Sequence, residues 1–530
     1  MQFPFSLLRS GTAGAITLCL FAIPCAAHAD VTLSPLFGDN MVFQRDALLH
    51  VWGKASPGEK ITVGLRNTAA GAITNADGTW EISLPPQKAG GPYNLVVTGE
   101  LTVLSQNTGG NGTLKAASKS TKTIKNVLFG DVWLCGGQSN MELSLQRAST
   151  GKEAIATSAD PDLRLFKVGQ AHPAAPADTL KGSWEVSDPT TTPRFSGVGY
   201  FFGRALRTAE KIPIGLISSN VGGTPAQSWT RESALAANPM LKSRYIDTYP
   251  ANQAAHDKAM ADYETALAKA KEAGTKEPVK PYGFWRYSGL YNGMIAPLTG
   301  FPIRGVIWYQ GESNSSDPAG YAALLPTMIG DWRAQWQSPQ LPFLLVQLPP
   351  FGTKAGDGLA WAQMRENQAR TAQTLPNVGL VVTTDVGTQH NIHPTNKEPV
   401  GERLALQARR LVYGETSLVA SGPTYRSLKI NGRKAVITFD SVGGGLAIHG
   451  GQSSDAPVPA DTLVGFTVAG ADGNFVPAQA KIVGKDTVEV SAPEVTAPKF
   501  VRYGYVNFPV VNLWNKNGLP AAPFRTDGGK

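Results

Sequence analysis

Along residues 30–104 apolar and polar positions alternate in short runs, such as Leu48-Leu49-His50-Val51-Trp52 and Lys60-Ile61-Thr62-Val63, broken by the turn signals Ser56-Pro57-Gly58 and Ala76-Asp77-Gly78. A period of two with Gly and Pro at the breaks predicts a small antiparallel β domain. Between residues 127 and 415 the texture changes. Continuous apolar runs at 127–129, 214–217, 305–309, 343–346 and 378–382 are separated by helical stretches, which predicts an α/β domain on a mainly parallel sheet. Within it, residues 254–273 are rich in Ala, Lys and Glu and predict an inserted surface helix, either a solvated amphipathic face or a lid. After Gly422-Pro423 short strands return: Asn431-Gly432 predicts a hairpin joining 427–430 to 434–439, Ala471-Asp472-Gly473 marks another turn, and 416–530 reads as a C-terminal β domain. Residues 105–126, dominated by Gly, Ser, Thr and Lys, read as a polar linker or loop between the first two domains.

The length of 530 residues agrees with about three or four domains, and 57 Gly with 38 Pro fits a turn-rich chain. The first 29 residues read differently. Arg9, an apolar run over 13–26 and Ala27-His28-Ala29 match the three parts of an export signal, with cleavage before Asp30. The run contains Pro24 and falls short of the roughly 20 residues that span a bilayer. An exported chain, periplasmic or extracellular, with no transmembrane segment after cleavage is therefore expected. Cleavage removes Cys19 and Cys25 and leaves Cys135 as the last thiol, so no internal disulfide is expected. The formal charge of +8 includes Lys115, Lys119, Lys122 and Lys125 in the polar stretch. No aromatic residues interleave them, so a solvated surface is expected there and no nucleic-acid partner.

In an open α/β sheet reactive groups gather beyond the carboxyl ends of the strands. Four such places carry chemistry here. After the first apolar run stands Gly136-Gly137-Gln138-Ser139-Asn140-Met141, where a tight turn into a helix start can present Ser139 as a nucleophile beside free N–H groups. Met141 stands where the G-x-S-x-G elbow needs Gly. The second place, Ser218-Ser219-Asn220-Val221-Gly222-Gly223-Thr224, allows close backbone approach and suits an N–H donor to an oxyanion. The third is Trp308-Tyr309-Gln310-Gly311-Glu312-Ser313-Asn314, in which Gln310 can donate to an oxyanion and Glu312 can orient a histidine. The fourth, Asp385-Val386-Gly387-Thr388-Gln389-His390-Asn391-Ile392-His393-Pro394, holds two of the chain's seven His and can supply the near-neutral base that serine acyl transfer needs. Asp385, His390 and His393 could also ligate zinc, but no further Cys/His cluster completes a site. Serine, carboxylate and histidine at separate strand ends form the order of a hydrolase triad.

Gly137-Gln138-Ser139-Asn140-Met141, Val221-Gly222-Gly223-Thr224, Trp308-Tyr309-Gln310-Gly311-Glu312-Ser313 and Ile392-His393-Pro394 with Lys397, Gly401 and Arg403-Leu404-Ala405 resemble the sialate O-acetylesterase family, a carbohydrate-esterase branch of the SGNH hydrolases. The resemblance extends to Asn40-Met41-Val42-Phe43-Gln44, to residues 290–298 and to the ending at 518–527. It implies a flavodoxin-like SGNH hydrolase core with N- and C-terminal β-sandwich-like regions, and removal of O-acetyl groups from sugars without metal or cofactor. Ser139 matches the family nucleophile and His393 its base. Gly223 and Gln310, with the Ser139 N–H, match the oxyanion donors. Gln138, Asn140, Trp229 and Trp308 are the expected substrate contacts. One departure stands out: the positions two and three before the histidine, where SGNH enzymes of this kind carry an Asp, are Asn391 and His390. The orienting acid is then Glu312 or Asp385, or the enzyme is a Ser–His dyad. The expected partner is an O-acetylated sugar or glycan: a sialate, or a plant polysaccharide such as xylan, xyloglucan or pectin. A non-catalytic carbohydrate-binding protein is the alternative of another class.

Overall fold

The computed structural model describes residues 30–106, 113–352 and 358–528. The segment 1–29, expected to be an export signal, lies outside the described residues. The centre of the molecule is a sheet in which the strands Trp184–Ser187, Asp160–Lys167, Ile214–Asn220, Thr113–Gly137, Gly305–Tyr309, Phe343–Val346 and Val378–Val381 lie side by side in that order. All neighbours in this series run parallel except the first pair, which is antiparallel. The five apolar runs read from the sequence all lie in these strands.

Parallel strands are apolar on both faces because helices cover both. Alternation along the strands divides the residues accordingly: Trp133, Cys135, Ile307 and Leu344 pack with Phe201, Phe202 and Leu404 of the helices Gly197–Glu210 and Glu398–Leu411. Their neighbours Val132, Leu134, Val306, Trp308 and Leu345 pack on the other side with Met328, Trp332 and Met364 of the helices Pro318–Gln335 and Ala360–Thr374.

The β regions flank this core. At the N-terminal side Thr32–Leu33, Leu49–Lys54 and Thr79–Leu84 form one antiparallel sheet, while Lys60–Leu65 sits between Thr68–Ile73 and Gly90–Gln106. The latter strand pairs antiparallel with Thr113–Gly137, making the sheet mixed. Residues 113–126 are therefore strand, not linker. Tyr93 to Gln106 and Thr113 to Val127 form a ribbon, flanked over residues 95–100 by Lys60–Leu65, whose Glu100 opposes Lys119, with an ion pair at 3.1 Å between them. Composition suggests a loop because Lys, Ser and Thr dominate, and from residue 117 the strand does stay mostly exposed until Ile124, which is buried; what makes it strand is its pairing with residues 93–106. The C-terminal region contains the expected hairpin, Thr424–Asn431 with Lys434–Asp440, turning at Gly432 with φ +57°. Its core holds Ile437, Phe439, Val468, Val488 and Tyr503.

The inserted helix spans Tyr249–Ala273 and buries only Ala270. Among the described residues no helix is long and apolar enough to cross a membrane.

Candidate active site

The strand Thr113–Gly137 ends against Gly305–Tyr309 so closely that a Cβ on Gly137, whose φ is +141°, would lie 2.1 Å from the Tyr309 carbonyl oxygen. Only glycine permits that approach. The chain then turns through the extended Gln138 into one helical turn, Ser139–Glu142, whose leading N–H groups have no acceptor within the helix. Ser139 is half-buried at this edge, while Gln138 and Asn140 on either side are buried.

His393 reaches the same point from the loop 382–397, between the strand Val378–Val381 and the helix Glu398–Leu411. Its Nε2 lies 2.8 Å from Ser139 Oγ. Its own N–H donates to Asn391 Oδ1 at 2.9 Å, a local turn that sets the backbone. The C-terminal region props the loop from outside: Gly387 N–H donates to Ser454 Oγ at 3.0 Å and Gln389 N–H to Asp455 Oδ2 at 2.9 Å. Burial, and then the positive charges of Lys397 and Arg147, hold the His393 pKa below its ordinary value, which keeps the ring neutral and able to accept a proton.

Neither candidate carboxylate is hydrogen-bonded to His393. Asp385 forms a two-pronged ion pair with Arg403, both contacts at 2.7 Å, and Arg403 also donates to the Val382 carbonyl at 3.0 Å. This leaves Asp385 no oxygen facing a metal, His390 is exposed, and among the described residues no cluster of His, Cys, Asp and Glu could hold an ion. Glu312 is buried and accepts from Asn140 Nδ2 at 2.6 Å. Its other oxygen has no hydrogen-bond partner among the described residues. Burial pushes the Glu312 pKa up, opposed by the Asn140 hydrogen bond and by Lys397. Asn140 in turn accepts from Lys397 Nζ at 2.5 Å and donates to the Ile392 carbonyl at 2.9 Å. Lys397, also buried, is brought down to about 7 by loss of hydration.

Gln310 is fully buried, and its amide donates to Asn314 Oδ1 at 2.7 Å, Gln138 Oε1 at 3.2 Å and the Thr224 carbonyl at 3.3 Å. These acceptors occupy the amide that the sequence reading expects to donate to an oxyanion. Gln138 Oε1 also receives the Ser313 N–H at 3.2 Å, which fixes its amide. The Gly222-Gly223 turn comes alongside: a Cβ on Gly222 would lie 3.4 Å from Ser139 Cβ, and Gly222 N–H donates to Glu142 Oε2 at 2.7 Å. Gly223 is exposed, with φ +71° and nothing within 4 Å of where its Cβ would be.

Trp229 and Trp308 correct the sequence expectation. They are 0% and 1% exposed, pack edge to face at 6.1 Å, and offer no ring face to a sugar. Trp229 instead supports the glycine turn, donating from Nε1 to Thr224 Oγ1 at 3.0 Å, which itself donates to the Val221 carbonyl at 2.7 Å. Asn140, 0% exposed with its amide fully engaged, likewise faces inward rather than toward a substrate. Sequence reasoning missed Glu142 and gave Lys397 no role. Glu142 follows Ser139 by three positions, the spacing that puts two side chains on one helix face.

The family described as "Carbohydrate esterase, sialic acid-specific acetylesterase" matches residues 129–410. Sialate O-acetylesterase of Homo sapiens is 30% identical over 436 residues, 76% of this chain and 75% of that protein. The Mus musculus protein of the same name is 29% identical over 461 residues, 79% and 80% of the two chains. The crystal structure of a carbohydrate acetylesterase from Xanthomonas citri superimposes with a TM-score of 0.77 at 37% identity, covering 94% of this chain and all of that one.

Proposed function

Since the chain belongs to the sialic acid-specific acetylesterase family of carbohydrate esterases, we propose that it removes O-acetyl groups from sugars by a serine acyl-enzyme route on a flavodoxin-like SGNH-type core. The observation that carries this reading is the 2.8 Å contact between Ser139 Oγ and His393 Nε2, within the range a nucleophile and its general base require. Ser139 attacks the acetyl carbonyl while His393 takes its proton. The resulting oxyanion is held by the N–H groups of Ser139 and Gly223, for which no acceptor stands among the described residues. His393 returns the proton to the departing sugar hydroxyl, then activates the water that releases acetate. Gln310 acts beneath the hole by holding Gln138 and the Thr224 carbonyl.

Asp385 is engaged by Arg403 and Glu312 by Asn140, which supports the Ser–His dyad over a triad. The export signature at 1–29 supports a periplasmic or extracellular location. The relatives named as sialate O-acetylesterases support sialate as the sugar; the bacterial relative is named only for carbohydrate. Acetate release from O-acetylated sialic acid, acetylated xylan, xyloglucan and pectin tests both points. The wild-type chain is expected to deacetylate at least one of these and Ser139→Ala none. Undiminished release by Ser139→Ala sinks the mechanism, and no release by the wild type returns the non-catalytic carbohydrate-binding alternative.

A further inference from the structure

We propose that Lys397, acting through Asn140, is the device that positions His393, in the place where a triad would use a carboxylate on the second ring nitrogen. The inference rests on Ser139 and His393 being the reacting pair.

The Asn140 carboxamide makes three hydrogen bonds. Its oxygen accepts from Lys397 Nζ at 2.5 Å, and its nitrogen donates to Glu312 Oε1 at 2.6 Å and to the Ile392 carbonyl at 2.9 Å. Its orientation is not ambiguous: the Ile392 carbonyl can only accept, so the nitrogen must face it, and the oxygen then faces Lys397. In the chain Asn140 directly follows Ser139 and Ile392 directly precedes His393. One buried amide thus ties the immediate neighbours of both reacting residues across 252 positions of sequence. The cation on its oxygen and the carboxylate on its nitrogen polarise it in the same sense, which makes both bonds charge-assisted. Lys397 is 1% exposed and its Nζ lies 5.1 Å from the centre of the Tyr309 ring, so the ammonium is confined on the ring side as well.

Lys397 differs from a triad acid in sign. An aspartate beside the imidazole would favour its protonated form; an ammonium disfavours it. The charged groups facing His393 are Arg147 from the turn after the serine helix and Lys397 at the start of the next helix, while Glu312 is screened behind Asn140 and Asp385 is paired with Arg403. The His393 side thus combines a fixed backbone with a positive surrounding, and keeps the base neutral without a carboxylate contact.

The test uses Asn140→Asp and Lys397→Met in the full chain, with Ser139→Ala and His393→Ala as references. Turnover of 4-nitrophenyl acetate is followed across pH, and the thermal midpoint reports folding. Asn140→Asp places an acceptor against Glu312 and the Ile392 carbonyl, and is expected to lower kcat about 10²-fold with KM changed less than about threefold, the cost of displacing a catalytic group by about 1 Å. Lys397→Met is expected to move the acid limb of kcat/KM to higher pH, because a positive charge near the imidazole is gone, and Lys397→Arg to move it back. A merely structural lysine would reduce the folded fraction and leave the limb where it was. If both variants keep kcat within about threefold and the limb unmoved while the reference variants are inactive, this proposal falls and the reacting pair stands. If Ser139→Ala stays active, the reacting pair itself falls. Should Asn140→Asp fail to fold, the limb of Lys397→Met decides alone.

Discussion

Asp385 and Glu312 follow strands that are next but one in the sheet, and their surroundings differ. Asp385 is matched oxygen for nitrogen by Arg403, and the pair is only 10–15% exposed, so it is electrostatically closed. Glu312 is buried, has one oxygen without a partner among the described residues, and faces an amide rather than a cation. A closed pair anchors: Arg403 also holds the Val382 carbonyl and so fixes the root of the histidine loop. An open carboxylate joined to a buried lysine through Asn140 can instead bias the charge of the site. Two acids equally eligible by residue type thus divide into a fastener and a polariser.

The largest expected effect bears on what both acids surround. His393→Ala should cut kcat by about 10²- to 10⁴-fold, the usual contribution of a general base, measured with 4-nitrophenyl acetate. Next comes the fastener: Asp385→Ala leaves Arg403 buried without its counter-charge and should cost about 2–3 kcal/mol of stability, somewhat below the loss for a fully buried pair, read from urea unfolding. If Asp385→Asn instead removes about 10⁴ in kcat with unfolding unchanged, the two roles are exchanged and Asp385 is the triad acid. Glu312→Gln retains an acceptor for Asn140 and should lower kcat less than about tenfold, far from the loss a true orienting acid brings. The smallest effect is a displacement: since burial and positive neighbours lower the His393 pKa, its base form persists further into acid. The acid limb of kcat/KM should then lie below that of an unperturbed imidazole, as a pH–rate profile will read.

The positions of the candidate site residues were legible because apolar runs ending in Gly-rich polar stretches mark strand ends whatever the details of packing. Ser139, Gly223, Glu312 and His393 were found that way, and all lie just beyond strands of the parallel sheet or on the turns that follow them. Side-chain direction was not legible. The strand Gly305–Tyr309 is buried throughout and carries no charged residue to mark a side, so Trp308 gives no sign of which face it joins, and Trp229 lies on a short helical turn beneath the glycines. Lys397 was hidden for a different reason. A lysine one residue before a helix reads as solvated, and only the fold brings Asn140 and Glu312 to it from 257 and 85 positions away. The ribbon of residues 93–106 and 113–127 was lost to composition, since Ser, Thr and Lys satisfy a strand as well as a loop once a partner of matching register lies opposite.

The strand Thr113–Gly137 belongs to that ribbon at one end and to the parallel sheet at the other. It is continuous but not straight: between the ribbon and the part that ends at Gly137, two residues from Ser139, the pairing register shifts opposite Tyr93 and Asn126 stands at φ +57°, a bulge that bends the strand. The bulge sets the angle at which the strand leaves the outer β region and enters the parallel sheet, and so the direction from which the chain arrives at Ser139. The N-terminal β region and the edge that carries Ser139 thus share one strand and meet at an elbow in it.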